Sequence, residues 1–264
     1  GTQMGLVAIR HANKVKGKGL FALSDFAKGQ VIHRERPLAI SLDVNGRRLC
    51  PNCARHHPSC DVCDEYIGSI RVHDWLKTIK WESSGRFPKM ASQLLIDRVI
   101  RGNSDRIDYL SSLMFANLPE DRLIEHDWHT MLSVVEQHIK SEGYSLRDLF
   151  SLPSYRQILG ILHLNCMMIG DPANPQAVAL MRRLSFINHS CDPNVEIGQE
   201  FVDGYAEAIA TRDISLNDEL SISYVDPGLP FADRQQSLLW SYGFTCGCDL
   251  CLTQTRRECA RDGD

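Results

Sequence analysis

The sequence predicts an α+β chain of small β-sheets carrying a helical insertion, and three observations support that prediction. Short strand-like runs sit at both ends of the chain, and about a hundred residues of helical periodicity lie between them. Two groups of closely spaced cysteines mark the ends of these regions. Strand sets separated by a helical insert fit a sheet that closes across the insertion, with the helices as a flanking lobe.

At 264 residues the chain is long enough to bury one core, or one core with a small satellite. Its apolar fraction of 43% and charged fraction of 23% are ordinary for a globular protein. The net charge of −4 argues against a basic nucleic-acid binder and suits an acidic groove for a basic peptide. There is neither a long apolar run nor a secretory leader, so no membrane span is expected. Nucleus or cytoplasm is the expected location rather than secretion. Gly1-Thr2-Gln3 ahead of Met4 reads as an expression remnant.

The N-terminal runs "GLVAIR" (5–10), "GLFAL" (19–23) and "QVIHRERPLAI" (30–40) are β-rich and punctuated by Gly17, Gly19 and Gly29. From about residue 69 the apolar spacing turns helical, in "IDYLSSLMF" (107–115), "LIEHDWHTMLSVVEQHIK" (123–140) and "YRQILGILHLNCMMI" (155–169). After Pro172 and Pro175 strands return as "RLSFI", "NVEIG", "YAEAIA" and "ELSISY". A final helix, "FADRQQSLLWSY", is closed by Gly243.

The stretch "LSFINHSCDPN" (184–194) begins as a buried strand and then gathers Asn, His, Ser, Cys, Asp and Asn. Buried polar side chains without partners cost about 1–3 kcal/mol each. An Asx-rich turn at Asp192-Pro193-Asn194 accounts for part of this chemistry; the remainder calls for a ligand or a neighbouring strand.

Of the ten cysteines, the seven in closely spaced sets read as metal sites rather than disulfides, given the missing leader, while Cys166, Cys191 and Cys259 stand apart. Cys50, Cys53, Cys60 and Cys63 form a complete four-thiolate set, with His56 or His57 as alternative ligands. Cys246, Cys248 and Cys251 supply three thiolates, one short of tetrahedral zinc.

Taken in order, "GKGLFALSDFAKGQVI", "FINHSCDPN", "ELSISY" and "FTCGCDLC" resemble the SET-domain protein lysine methyltransferases. The helical insertion and the cysteine knuckle resemble the SET-and-MYND (SMYD) branch. The resemblance covers residues 5–40 and 155–251, and 64–150 by architecture only. It divides the chain into an N-terminal part of the SET core (4–49), a zinc knuckle (50–68), a helical insertion (69–154), a C-terminal part of the core (155–243) and a cysteine-rich tail (244–264).

The resemblance implies a SET core with a pseudoknot and S-adenosylmethionine as methyl donor. Asn188 and His189 would bind the donor, the His mainly through its backbone beside the adenine. Lys16, Gly17 and Lys18 match the donor-binding turn, where absent Cβ atoms let backbone approach a ligand. Asn165 matches a residue that meets the donor's methionine part, although a polar helix residue facing solvent reads the same way. Met167 stands where the family often has an aromatic lining the lysine channel. Tyr224 resembles the catalytic tyrosine and a donor contact, Tyr242 the second, channel-shaping tyrosine, and Phe244 the aromatic stacked on adenine. Read alone, either tyrosine also suits a core position.

The resemblance also supplies Cys191 as fourth ligand to the tail thiolates, with Cys259 as the alternative, for two structural zincs in all. A full MYND module has further Cys and His ligands, and no cysteine follows Cys63 before Cys166, so the module is expected to be truncated, which counts against MYND-type partner binding. Many SMYD members continue into a C-terminal helical domain, so a chain ending at Asp264 would have a more open groove. The implied function is methylation of lysine on a protein or peptide, histone or non-histone, without membrane or direct nucleic-acid contact. A non-catalytic chromatin or peptide-binding module is the alternative. The joint presence of Asn188, His189 and Tyr224 argues against it.

Overall fold

The computed structural model describes residues 6–42, 54, 66–67, 70–71, 86–100, 109–138, 147, 150–171 and 173–261. In chain order the strands are β1 (Val7–Asn13), β2 (Gly17–Ala22), β3 (Val31–Glu35), β4 (Ala39–Leu42), β5 (Tyr66–Ile67) and β6 (Ile70–Arg71). The helices α1 (Arg86–Ile100), α2 (Arg122–His138) and α3 (Leu152–Asn165) follow. Then come β7 (Cys166–Asp171), β8 (Asn174–Leu180), β9 (Asn188–His189), β10 (Val195–Ile197), β11 (Ala206–Ala210), β12 (Ser221–Ile222), α4 (Phe231–Tyr242) and α5 (Asp249–Arg261). The α+β expectation holds: the strands form five sheets of two or three strands each among the described residues.

The chain divides into two units, one of Gly1–Arg34, Phe186–Gly198 and Glu207–Asp264, the other of Glu35–Ser185 and Gln199–Ala206. In the first unit β1 and β2 form an antiparallel hairpin running from Val7 opposite Ala22 to Asn13 opposite Gly17. Asn13 Oδ1 sets the turn by accepting from the N–H groups of Val15 (2.9 Å) and Lys16 (2.8 Å). Gly17 then adopts φ of 68°, where a side chain would be strained. Alternate inward residues Leu20 and Ala22 are fully buried, as a half-buried strand requires. Strands β10, β11 and β3 form a second sheet in that order.

Two very short strands organise the middle of this unit. β9 and β12 run parallel, with Asn188 opposite Ser221 and His189 opposite Ile222. Asn194 extends the pairing: its Oδ1 accepts from Ser221 N (2.8 Å) and its Nδ2 donates to Glu219 O (2.9 Å). The polar residues of the 184–194 stretch thus find backbone partners in a neighbouring segment.

In the second unit β4, β8 and β7 form an antiparallel sheet. Helix α1 docks on it through Gln93, whose amide bonds both the N (2.7 Å) and the O (2.8 Å) of Ile40. Met90, Ala91 and Leu94 of α1, Met131 and Leu132 of α2, and Tyr155, Leu159 and Leu162 of α3 supply the buried apolar faces. Ser151 caps α3 from the N-cap position, and Pro153 lies in the first turn, where its missing N–H costs nothing.

Three sequence expectations are corrected. Residues 155–169 were expected to be one helix, but α3 ends at Asn165 and Cys166 turns extended, with φ −76° and ψ 144°. Cys166–Ile169 instead pairs along β8, whose alanines and Val178 are buried by the contact. In 107–115 the described residues are helical only at Tyr109 and Leu110. Ser112 and Leu113 close i→i+3 turns there, and Ala116 N bonds Gly160 O instead of continuing a helix. "RLSFI" was expected as a strand but holds a 3₁₀ turn at Leu184–Phe186, with Glu35 accepting from the N–H groups of Arg183 and Leu184. The knuckle residues Cys50, Cys53, Cys60 and Cys63 lie outside the described residues.

Candidate active site and thiolate cluster

Asn188 stands at the centre of a polar hub. Its Nδ2 donates to Lys18 O (3.1 Å) and to Glu219 Oε1 (2.8 Å). Glu219 also pairs with Lys16, Nζ to Oε2 at 2.8 Å. Gly19 lies directly beneath: a Cβ there would stand 2.8 Å from Asn188 Nδ2 and 3.1 Å from Glu219 Oε1. The glycine turn therefore serves the hub by making room for it. Asn188 Oδ1 has no hydrogen-bond partner among the described residues, so it remains an open acceptor beside a carboxylate. The Lys18 ammonium sits 5.9 Å from the centre of the Phe186 ring.

His189 faces the other way and is 5% exposed. Its Nδ1 accepts from Tyr224 N (3.0 Å), which leaves the ring proton on Nε2, directed at Cys191 Sγ at 3.2 Å. Burial first, then the charges of Arg234 and Lys16, lower its pKa to about 4, so the ring is neutral at physiological pH. Both ring nitrogens are therefore bonded within the protein, and neither is free to bond a ligand.

Tyr224 donates its hydroxyl to Ile187 O at 2.7 Å. Burial, reinforced by Tyr242 and Glu219, pushes its pKa well above the usual value. The phenol therefore holds its proton and acts as a hydrogen-bond donor. Tyr242 lies 4.9 Å from it, ring centre to ring centre, and Phe244 lies 6.5 Å from Tyr224 and 6.0 Å from His189. Burial raises the Tyr242 pKa as well.

These rings pack on a small core formed by Cys191, Leu238 and Cys251. Helix α4 builds that core because Arg234, Leu238 and Tyr242 recur at four-residue spacing and share one face. Gly243 ends the helix with φ 76° in the left-handed region, as its position predicts. The chain then returns along α4: Gln235 bonds both N (2.7 Å) and O (3.0 Å) of Cys246.

The Sγ atoms of Cys191, Cys246, Cys248 and Cys251 all lie within 4.8 Å of one another. Tetrahedral zinc with bonds of about 2.3 Å places its sulfurs ~3.8 Å apart, so this set fits the ion. Burial pushes the Cys246 thiol up to about 11 and raises Cys251 further. Burial pushes Cys248 up as well, but backbone hydrogen bonds with Cys251 and Cys191 hold it down to about 7. Four sulfurs this close are best satisfied as thiolates on a shared divalent cation. The side chain of Cys259 is outside the described residues.

Asn165 and Met167 belong to the second unit. Asn165 Nδ2 donates to Met114 O and Ile161 O, both at 2.7 Å, and so ends α3 and holds the 112–116 turn. Met167 is half-buried on β7 opposite Ala179. Two site residues escaped the sequence reading. Glu219 carried a weak signal as the acid leading "ELSISY"; Arg234 carried a stronger one, a cation on the apolar face of a helix.

Residues 17–225 match the SET domain model. The chain is 31% identical over 183 residues to a SET and MYND domain-containing protein of Dictyostelium discoideum, covering 63% of this chain and 52% of that one. It is 24% identical over 277 residues to the histone-lysine N-methyltransferase SMYD3 of Homo sapiens, covering 97% of this chain and 64% of that one. It thus spans about half the length of the first relative and under two thirds of the second. Among solved structures, the SET domain of LSMT bound to lysine and AdoHcy aligns with a TM-score of 0.50 and 14% identity. That alignment covers 93% of this chain and 54% of the other, and at this identity it speaks to fold alone. The family match runs from the glycine turn at Gly17 past Tyr224 and takes in most of the residues, so this chain belongs to the SET domain family.

Proposed function

We propose that this chain transfers a methyl group from S-adenosylmethionine to the side-chain amine of a lysine in a protein or peptide. The observation that carries the reading is the parallel pairing of Asn188-His189 with Ser221-Ile222. That pairing joins the Asn188–Glu219 hub to the aromatic cluster built on Tyr224.

The residues fit the donor. The open Asn188 Oδ1 and the Glu219 carboxylate suit an amino acid's ammonium and a cationic sulfur. Phe244 and Tyr242 offer ring faces to a purine. S-adenosylmethionine supplies an electrophilic methyl carbon on a sulfonium. The Lys16-Gly17-Lys18 turn, Asn188 and the His189 backbone would hold the donor, and Asn165 is assigned its methionine end. Tyr224 and Tyr242 orient the lysine amine, and Met167 lines its channel.

In-line transfer depends mainly on positioning. Tyr224 keeps its proton, so it orients through its hydroxyl and does not act as a base. The lysine, with a free pKa of about 10.4, must therefore lose its proton to solvent, aided by partly buried aromatic surroundings that disfavour the cation.

Zinc on Cys191, Cys246, Cys248 and Cys251 would hold Tyr242 and Phe244 against Tyr224. A second zinc is assigned to Cys50, Cys53, Cys60 and Cys63. Histones are the first substrates to test, since the relatives' names support them, and a nuclear or cytoplasmic location accords with that. Among the described residues no helix is long and apolar enough to cross a membrane. The test is calorimetric titration with S-adenosylmethionine, followed by radiolabelled methyl transfer to core histones and a lysine peptide array. Failure of the protein to bind the donor would remove the basis for the reading.

A further inference from the structure

We infer that Arg234 is the counter-charge of the tail thiolate cluster, a positioning residue that holds the metal by neutralising the buried pair Cys191 and Cys251. The inference rests on the assignment of zinc to that cluster.

Arg234 is 3% exposed, and Cys191 and Cys251 are 3% and 1% exposed. A buried guanidinium is costly unless an anion or a full set of acceptors receives it. Its Nη1 donates to Leu229 O, and its Nη2 donates to Gln254 Oε1 at 2.6 Å. Both acceptors are neutral. Its Nε is buried with no hydrogen-bond partner among the described residues. Leu238, one turn along the same buried face of α4, packs directly with Cys191 and Cys251, and Gln254, which accepts from Arg234, lies three residues after Cys251 on α5.

The charge balance explains this placement. Four thiolates on a divalent ion leave two negative charges, and half of the cluster is sealed from water. Arg234 offsets one of these charges from the buried side. His189 adds an N–H to Cys191 Sγ at 3.2 Å, and Cys248 N donates to Cys246 Sγ at 3.5 Å. Arginine keeps its charge at every accessible pH, so the compensation is permanent. It also links helices α4 and α5 through Gln254, on the same helix face that ends in Tyr242.

Partners outside the ligand shell typically change metal affinity by about 10- to 100-fold. The test compares Arg234→Gln and Arg234→Lys, which keep a polar side chain but differ in charge. Zinc release to a chromogenic chelator is followed in the wild type, and the tail ion is identified as the phase missing from Cys248→Ser. Arg234→Gln is expected to release that ion at least about tenfold faster, with Arg234→Lys restoring most of the retention. Recovery of zinc-loaded protein from Lys but not from Gln supports the same charge requirement. Equal release rates in the two variants overturn the inference, because Arg234 would then act by packing alone. If neither variant folds, Gln254→Ala loosens the guanidinium without touching a ligand, and an unchanged release rate there overturns it as well. A wild-type protein lacking the tail ion would instead defeat the zinc assignment, which separates the two failures.

Discussion

Removing the Glu219 carboxylate should weaken donor binding without unfolding the chain. In Glu219→Ala, Asn188 Nδ2 loses its 2.8 Å partner and keeps only Lys18 O at 3.1 Å. A hydrogen bond to a charged group contributes about 1.5–3 kcal/mol. Asn188 is half-buried, so water replaces part of that loss. About 1–2 kcal/mol of orientation free energy remains, roughly 5- to 30-fold in donor affinity. The exposed Lys16 pair adds little, since such pairs contribute less than about 1 kcal/mol. Glu219→Gln keeps an oxygen acceptor for Asn188 and should fall between the wild type and the alanine variant. Calorimetric titration with S-adenosylmethionine, beside a thermal melt of each variant, reads both quantities. A Glu219→Ala protein that melts normally and binds the donor within twofold of wild type would refute the reasoning, because the hub would then not be orienting Asn188.

Tyr224→Phe should cost about 1–2 kcal/mol of stability through the unpaired Ile187 carbonyl, keep donor affinity, and lower turnover by about a hundredfold or more. Unchanged turnover in the radiolabelled assay would take Tyr224 out of the reaction. Because burial raises the Tyr224 pKa, its phenol stays neutral at every pH below its ordinary value near 10. The methyl-transfer rate should therefore climb with pH toward the lysine's own pKa, with the same midpoint in wild type and Tyr224→Phe; a midpoint that moves with the substitution contradicts this. Cys248→Ser and Cys60→Ser should each lose one equivalent of zinc by elemental analysis, but donor affinity should fall mainly in Cys248→Ser. Equal donor losses in both would show that the tail cluster has no special hold on Tyr242 and Phe244.

What the sequence revealed and what it hid follow from how far each signal reaches along the chain. Helix α4 was legible because apolar spacing and Gly243 act within one or two turns. The tail cysteines were legible because chelation imposes close spacing, and Cys191 as the fourth member of the cluster came only from resemblance. By contrast, Cys166–Ile169 is a short apolar run that suits a helix or a buried strand equally, and β8 decided between them. β9 and β12 are two residues each, too short to show any period, yet their pairing organises the candidate site. Glu219 and Arg234 were hidden for a related reason. A charged residue ordinarily reads as solvated surface, and only distant partners reverse that reading. Asn188 lies 31 positions from Glu219 in the chain, and the cysteines in the small core on which α4 packs come from both the 184–194 stretch and the tail. In each case the charge faces groups that are themselves constrained, an amide beside a glycine turn and a sealed pair of sulfurs. A charge on the inward face of an otherwise apolar helix is thus the local trace of a remote anion, and Arg234, spaced four residues before Leu238 and eight before Tyr242, carries that trace here.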